Sequence, residues 1–238
     1  MGKKGWWKVP RGRLLHRFLG VSGKLWNNAQ VMYDRETNSL WSHLTGAAIR
    51  GPLKGARLTM RAATPRVTWA AWRKRHPETL ALSLHGRENL PFELYADYHA
   101  DPARVGMYPV RRPDRRARPK DRVLGVAAGR GSKAYRHSFL KKRRLVSDTV
   151  GGTPVLVWFD PASGATAVYE QPARESGFRL DGETIIGADD RKWRAGTGTS
   201  LGPGPDLRPL PHTSGYWFGW AAFYPRTGLE EEGTPKSR

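Results

Sequence analysis

The 238-residue chain holds no cysteine and carries a formal charge of +20, from 41 Lys/Arg against 21 Asp/Glu. Disulfides and thiolate metal sites are therefore excluded, and no run approaches the roughly 20 apolar residues that a membrane helix needs. The charge is confined to two segments: residues 1–17 hold six Lys/Arg and no acid, residues 101–145 hold fifteen against three acids, and the rest is close to neutral.

In chain order, residues 1–17 form a basic segment with no apolar stretch behind it, so the chain as written opens without an export signal. Gln30–Asp34 and Ser39–Ser42 read as a hairpin around Arg35-Glu36-Thr37-Asn38, with Asn38 the residue best able to take a positive φ. Thr68 to His76 is a short helix, capped by Thr68 and stopped by Pro77, with Trp69 and Trp72 three residues apart. Pro91–Arg122, rich in proline, arginine and aspartate without apolar periodicity, is an irregular connector. Arg122–Val126 is expected as a strand, and Lys133–Leu145 as a short basic helix. Gly151-Gly152 permits a tight approach to the next strand. Val155–Phe159 and Ala165–Tyr169 flank the turn Asp160-Pro161-Ala162-Ser163-Gly164, in which Pro161 presets one dihedral and Gly164 accepts a left-handed one. Ser214–Tyr224 should be a second Trp-bearing helix, and the tail from Gly228 reads as disordered.

The segments Phe18–Pro77 and Phe178–Pro225 resemble each other. Each opens on Phe and has an early glycine (Gly23, Gly182), then a tryptophan (Trp41, Trp193) and a Gly-Pro (Gly51-Pro52, Gly202-Pro203). Each closes on Trp-x-x-Trp with proline five residues later (Trp69, Trp72, Pro77; Trp217, Trp220, Pro225). This predicts an α+β, mainly β architecture of two related β-rich repeats with short Trp-bearing helices, the first incomplete. The expected divisions are 1–17, 18–90, a connector at 91–120, 121–227 and a tail at 228–238.

Val21-Ser-Gly-Lys-Leu25, Val31-Met-Tyr-Asp-Arg35, Ser39-Leu-Trp-Ser42 and Gly51-Pro-Leu53 resemble the bacterial and archaeal domain of unknown function 3179 family. Asp148-Thr-Val-Gly-Gly-Thr-Pro-Val155 and Phe159-Asp-Pro-Ala-Ser-Gly164 do so too. The resemblance implies tandem repeats in exported or membrane-associated proteins, with no general activity attached. It also implies an N-terminally shortened member or a late start: the family's leading Asn-Asp-Thr-Val-Gly-Gly strand and Cys-Pro-x-Cys hairpin would lie before Phe18. The position similar to that hairpin in the second repeat, Asp160 to Ser163, has no thiols, so a thiol-based role does not carry over.

The candidate ligand-binding set is Asp34, Arg35 and Trp41 with Asp148, weighed against the ordinary role of such aspartates in capping turns. No residue pattern supports a catalytic nucleophile, a metal or a cofactor: the seven histidines include no ligand-spaced pair. The tryptophans read as core. Because the aromatics lie in the near-neutral repeats and the arginines in the connector, the pattern argues against specific nucleic-acid binding. The leading functional reading is a non-catalytic binding or structural module, expected to be monomeric, its partners unspecified. An enzyme or a cation or polar-ligand site in a cleft between repeats stands as the alternative, and a basic nucleic-acid-associated protein as the second.

Overall fold

The computed structural model describes residues 7–8, 19–60, 67–81, 95–110, 113–172 and 177–230. It is an α+β fold in which strands predominate. The strands β1 (Trp7–Lys8) and β6 (Thr59–Met60) pair with each other, and β2 (Leu19–Trp26), β3 (Ala29–Asp34), β4 (Leu40–Ser42) and β5 (Ala48–Arg50) form an antiparallel meander. Helix α1 (Trp69–Arg75) follows, then the short α2 (Ala96–Ala100).

The second half begins with β7 (Arg122–Ala128), β8 (Gly131–Arg136) and helix α3 (His137–Arg143). Strands β9 (Leu145–Val150), β10 (Thr153–Phe159) and β11 (Thr166–Glu170) make one antiparallel sheet; β12 (Arg179–Asp181), β13 (Thr184–Ile186) and β14 (Lys192–Arg194) make another. Finally β15 (His212–Tyr216), helix α4 (Trp217–Phe223) and β16 (Gly228–Glu230) return to the first strands of this half, giving the sheet order β15-β7-β8-β16.

The run Val155-Leu-Val-Trp-Phe159 explains where the core sits. Side chains alternate across a strand, so Val155, Val157 and Phe159 join Leu124, Tyr135, Phe139 and Leu140 beneath α3. Leu156 and Trp158 instead meet Ile185, Trp193 and Ala195 of the neighbouring sheet. Both faces of β10 are buried, which is why its sequence is continuously apolar rather than alternating; each such side chain contributes about 1.5–3 kcal/mol.

Helix α4 packs on β7 because Gly125 leaves room: a Cβ there would lie 2.3 Å from the ring of Trp220. Trp217, Trp220 and Ala221 are buried with Val123 and Ala134. Helix α1 buries none of its residues, and Trp69 is 50% exposed. The expectation of a core role thus holds for Trp41, Trp158, Trp193, Trp217 and Trp220 but not for Trp26 or Trp69.

Several elements share local geometry. Gly46 (φ 67) and Gly198 (φ 73) each lie five residues after a buried tryptophan, Trp41 and Trp193. Gly46 donates to Ser42 O at 2.9 Å and Gly198 to Arg194 O at 2.8 Å, and each in turn accepts from a buried leucine amide, Leu58 and Leu207, at 2.8 Å. In the helices, Trp72 Nε1 donates to Thr79 Oγ1 and Trp220 Nε1 to Thr227 Oγ1, both at 2.9 Å. The rings of His76 and Tyr224 lie against those tryptophans at 4.2 and 4.1 Å.

The structure corrects the sequence reading in several places. Residues 133–136 are strand, because β7 and β8 close a hairpin over Gly129 at φ 52, so the basic helix starts only at His137. Residues 214–216 continue β15, and α4 starts at Trp217. Gly228–Glu230 is ordered as β16, parallel to β8 and tied by Glu230 to Lys133 at 2.8 Å; residues 231–238 lie outside the described residues. Gly151-Gly152 gives the close entry to β10 that its residue types suggested: at φ 56 and 85 it forms the two-residue turn of the β9–β10 hairpin, a geometry that needs positive φ at both positions. The connector also contains α2, and it is tied down where Asp114 and Asp121 carbonyls accept from the indole and backbone of Trp217 at 3.1 and 2.9 Å. The parts of the first segment at 61–66 and 82–90 lie outside the described residues, as does most of 1–17.

Candidate functional site

Asp34 is fully buried at the end of β3. Its carboxylate accepts from Thr37 N at 2.6 Å, from the Thr37 hydroxyl at 2.8 Å and from Trp41 Nε1 at 2.8 Å. The chain of contacts continues through Ser39 Oγ, 2.7 Å from Thr37 Oγ1, which accepts from Leu53 N at 3.1 Å. Asn38, at φ 54, closes the turn as its residue type suggested. Asp34 and Trp41 are thus brought together, while Arg35 stands exposed on the turn.

Asp148 sits on β9 with different partners: Lys133 Nζ at 2.7 Å, Tyr135 hydroxyl at 3.1 Å and Thr149 N at 2.7 Å. Burial pulls the Lys133 ammonium down, but the hydrogen bonds it donates to Asp148 and Glu230 outweigh that and hold the group above its ordinary value. Burial, with Asp148 charge beside it, pushes the Tyr135 phenol well up. The four groups clamp β8, β9 and β16. None of Asp34, Arg35, Trp41 and Asp148 lines either of the two cavities described next.

The larger cavity, about 400 Å³, opens where five segments meet. The turn after β10 forms its floor: the Asp160 carboxylate accepts from Ala162 N at 3.1 Å, Ser163 N at 3.2 Å and the Ser163 hydroxyl, and Gly164 takes φ 71. Burial raises the Asp160 carboxyl, but these hydrogen bonds and the charge of Arg75 prevail and hold it below the ordinary value. Thr68 N donates to Ser163 O at 3.2 Å, which brings the start of α1 to the rim. His137 opens α3 with its ring 5.0 Å from that of Phe159, and Lys141 follows one turn later on the same face. Arg122 starts β7, and Ser214 enters from β15. The walls therefore carry Arg122, His137 and Lys141 beside the hydroxyls of Thr68, Ser163 and Ser214, with no carboxylate among them. Sequence reasoning missed this set, since its members come from separate segments; the one local signal was the four-residue spacing of His137 and Lys141.

The smaller cavity, about 140 Å³, is mostly apolar and lies between Leu44 and Leu58 on one side and Gly125, His212, Trp220 and Tyr224 on the other. Burial depresses the His212 imidazole below its ordinary value, although it contacts Leu210 O at 3.1 Å and Thr166 Oγ1 at 3.3 Å. Among the described residues no group of three or more His, Asp and Glu is placed to hold a metal ion, and no helix is long and apolar enough to cross a membrane.

The family model described as protein of unknown function DUF3179 matches residues 13–227. The chain belongs to that family. Neither a curated protein nor a solved structure matches it. The DUF3179 match takes in the buried Asp34 turn, the Asp148 clamp and every residue named on the walls of the larger cavity.

Proposed function

We propose that the chain is a non-catalytic binding module of two related units, whose ligand is a small anion bearing phosphate or carboxylate oxygens, held in the larger cavity. The observation that carries the reading is a recess of about 400 Å³ with Arg122, His137 and Lys141 on its walls and no carboxylate facing them. That volume lies within the usual range for small-ligand sites. Cationic side chains beside the hydroxyls of Thr68 and Ser214 give an anionic oxygen both charge and directed hydrogen bonds, while the Ser163 hydroxyl proton is held by Asp160.

The two units are residues 18–90 and 121–227. Their kinship is supported by the paired glycine turns after Trp41 and Trp193 and by the paired Trp-to-Thr hydrogen bonds of α1 and α4. Among the described residues the first unit shows no counterpart of the β9-β10-β11 sheet, in keeping with an incomplete unit. The cavity lies between the units, since Thr68 comes from the first and Ser163 from the second. The carboxylates of Asp34 and Asp148 are engaged in holding a turn and three strands, which favours structural roles for both.

Calorimetry with inorganic phosphate, pyrophosphate, citrate and neutral glucose tests the reading. Saturable binding of one or more of the anions, absent for glucose and weakened at least tenfold by Arg122→Gln or Lys141→Gln, is the expected result. Equal binding of glucose, or no binding of any anion by the folded chain, would overturn it.

A further inference from the structure

Two basic helix ends converge on one hairpin turn. The last turn of α1 carries Arg73, Lys74 and Arg75; that of α3 carries Lys141, Lys142 and Arg143, followed by Arg144. Arg75 Nη2 lies 3.4 Å from Glu183 Oε1, and Arg144 Nη2 lies 3.4 Å from the carbonyl of Gly182, so both ends flank the β12–β13 turn. All seven cations are exposed, against the two exposed carboxylates of Asp181 and Glu183. A helix dipole accounts for a basic residue in a last turn, but not for two such runs placed side by side. On α1, Trp69 is 50% exposed and lies one helical turn before Arg73, on the same face.

We infer that this face is a docking surface for an anionic lipid bilayer, which the chain binds peripherally. An exposed indole flanked by Lys and Arg is the combination that settles at headgroup depth, and each cation near an anionic leaflet adds to the attraction. A single-stranded nucleic acid would instead call for a groove with successive stacking platforms; here the cations sit on two projecting helix ends with one indole. The surface shares Lys141 with the anion-binding cavity, so its test leaves Arg122, His137 and Lys141 in place.

The full chain is sedimented with vesicles of phosphatidylcholine alone and of phosphatidylcholine mixed with phosphatidylglycerol. Partition into the mixed vesicles only, weakening as salt is raised, is expected. The variant R73Q/K74Q/K142Q/R143Q should lower the partition coefficient about a thousandfold, equivalent to about 1 kcal/mol for each cation. The control R104Q/R115Q/R118Q/R130Q removes the same charge elsewhere and should lower it less than about tenfold. Trp69→Ser, at an exposed position, should weaken partition several-fold with an unchanged circular dichroism spectrum. Should the quadruple variant not fold, R73Q/K74Q alone, on a helix that buries nothing, serves with an expected drop of about thirtyfold. Equal losses in patch and control variants would reduce the effect to net charge and overturn the proposal. Binding to neutral vesicles, or capture of a single-stranded oligonucleotide with no capture of anionic vesicles, would do the same.

Discussion

Replacing Asp34 by asparagine separates a carboxylate that builds the fold from one that waits for a ligand. The buried carboxylate accepts hydrogen bonds from Thr37 N, the Thr37 hydroxyl and Trp41 Nε1. An asparagine oxygen can keep Thr37, but its amide then faces the indole N–H donor to donor, where 2.8 Å now separates donor from acceptor. The loss is one hydrogen bond to a charged group, worth about 1.5–3 kcal/mol, together with a buried indole donor left unpaired. We expect Asp34→Asn to cost about 3 kcal/mol, and Asp34→Ala at least as much. For a chain of this size that lowers Tm by about 6–12 °C. Urea unfolding followed by tryptophan fluorescence measures it. A double-mutant cycle localises the cause: in a Trp41→Phe background, which has no indole donor, Asp34→Asn should cost at least about 1 kcal/mol less. If both Asp34 variants stay within about 0.5 kcal/mol of the parent, the turn does not depend on the carboxylate and the structural reading of Asp34 fails.

The β9–β10 turn offers a contrast within one dipeptide. A Cβ on Gly151 would lie 2.2 Å from Ala128 O and 2.3 Å from Gly131 N, whereas one on Gly152 would meet nothing within 4 Å. By urea denaturation, Gly152→Ala should cost about 1 kcal/mol for its left-handed backbone and Gly151→Ala about 3 kcal/mol or more, since backbone must move as well. His212 makes stability depend on pH. Its folded value is depressed below 6.5, so the unfolded chain binds the proton more readily. The stability of the neutral, buried ring is therefore complete above about pH 6.5 and drains as pH falls below it. Tm measured from pH 8 to pH 5 should fall on the acid side, and His212→Gln should flatten that slope. The matched Trp–Thr pairs should respond unequally: Thr227→Val leaves the Nε1 of buried Trp220 unpaired and should cost about 1–3 kcal/mol. Thr79→Val beside the more accessible Trp72, where water can replace the hydroxyl, should cost under about 0.5 kcal/mol.

What the sequence made legible was whatever is decided locally. Pro161 and Gly164 identify the β10–β11 turn, Asn38 the β3–β4 turn, and Thr68 with Pro77 both ends of α1, because each acts through its own dihedrals or its own side chain. The errors fall where a distant partner decides. Residues 133–136 look helical by charge and by continuity with His137–Arg143, yet they extend because β7 lies alongside. Gly228–Glu230 looks like a polar tail, yet Lys133 needs a second carboxylate and β8 has a free edge for it. The cavity was illegible for the same reason: Thr68, Arg122, His137, Ser163 and Ser214 belong to five segments and meet only once the sheets have stacked.

Helices α1 and α4 show how much of a helix's role lies outside its own sequence. Their internal contacts agree: the same indole-to-threonine bond, an aromatic ring (His76, Tyr224) against the equivalent tryptophan, the same proline stop. Yet α4 buries three residues and α1 none. The difference is what lies beneath. Under α4 runs β7, with Gly125 hollowing a seat for Trp220; α1 instead reaches across by its ends, with Val67 packed beside the Trp158 and Trp193 cluster, Thr68 N on Ser163 O and Arg75 on Glu183. A helix held by its ends keeps its faces in water. That leaves Trp69 and the basic last turn of α1 exposed, and it places Thr68 at the rim of the cationic cavity, so the cavity and the basic face depend on the same bridge between the two halves.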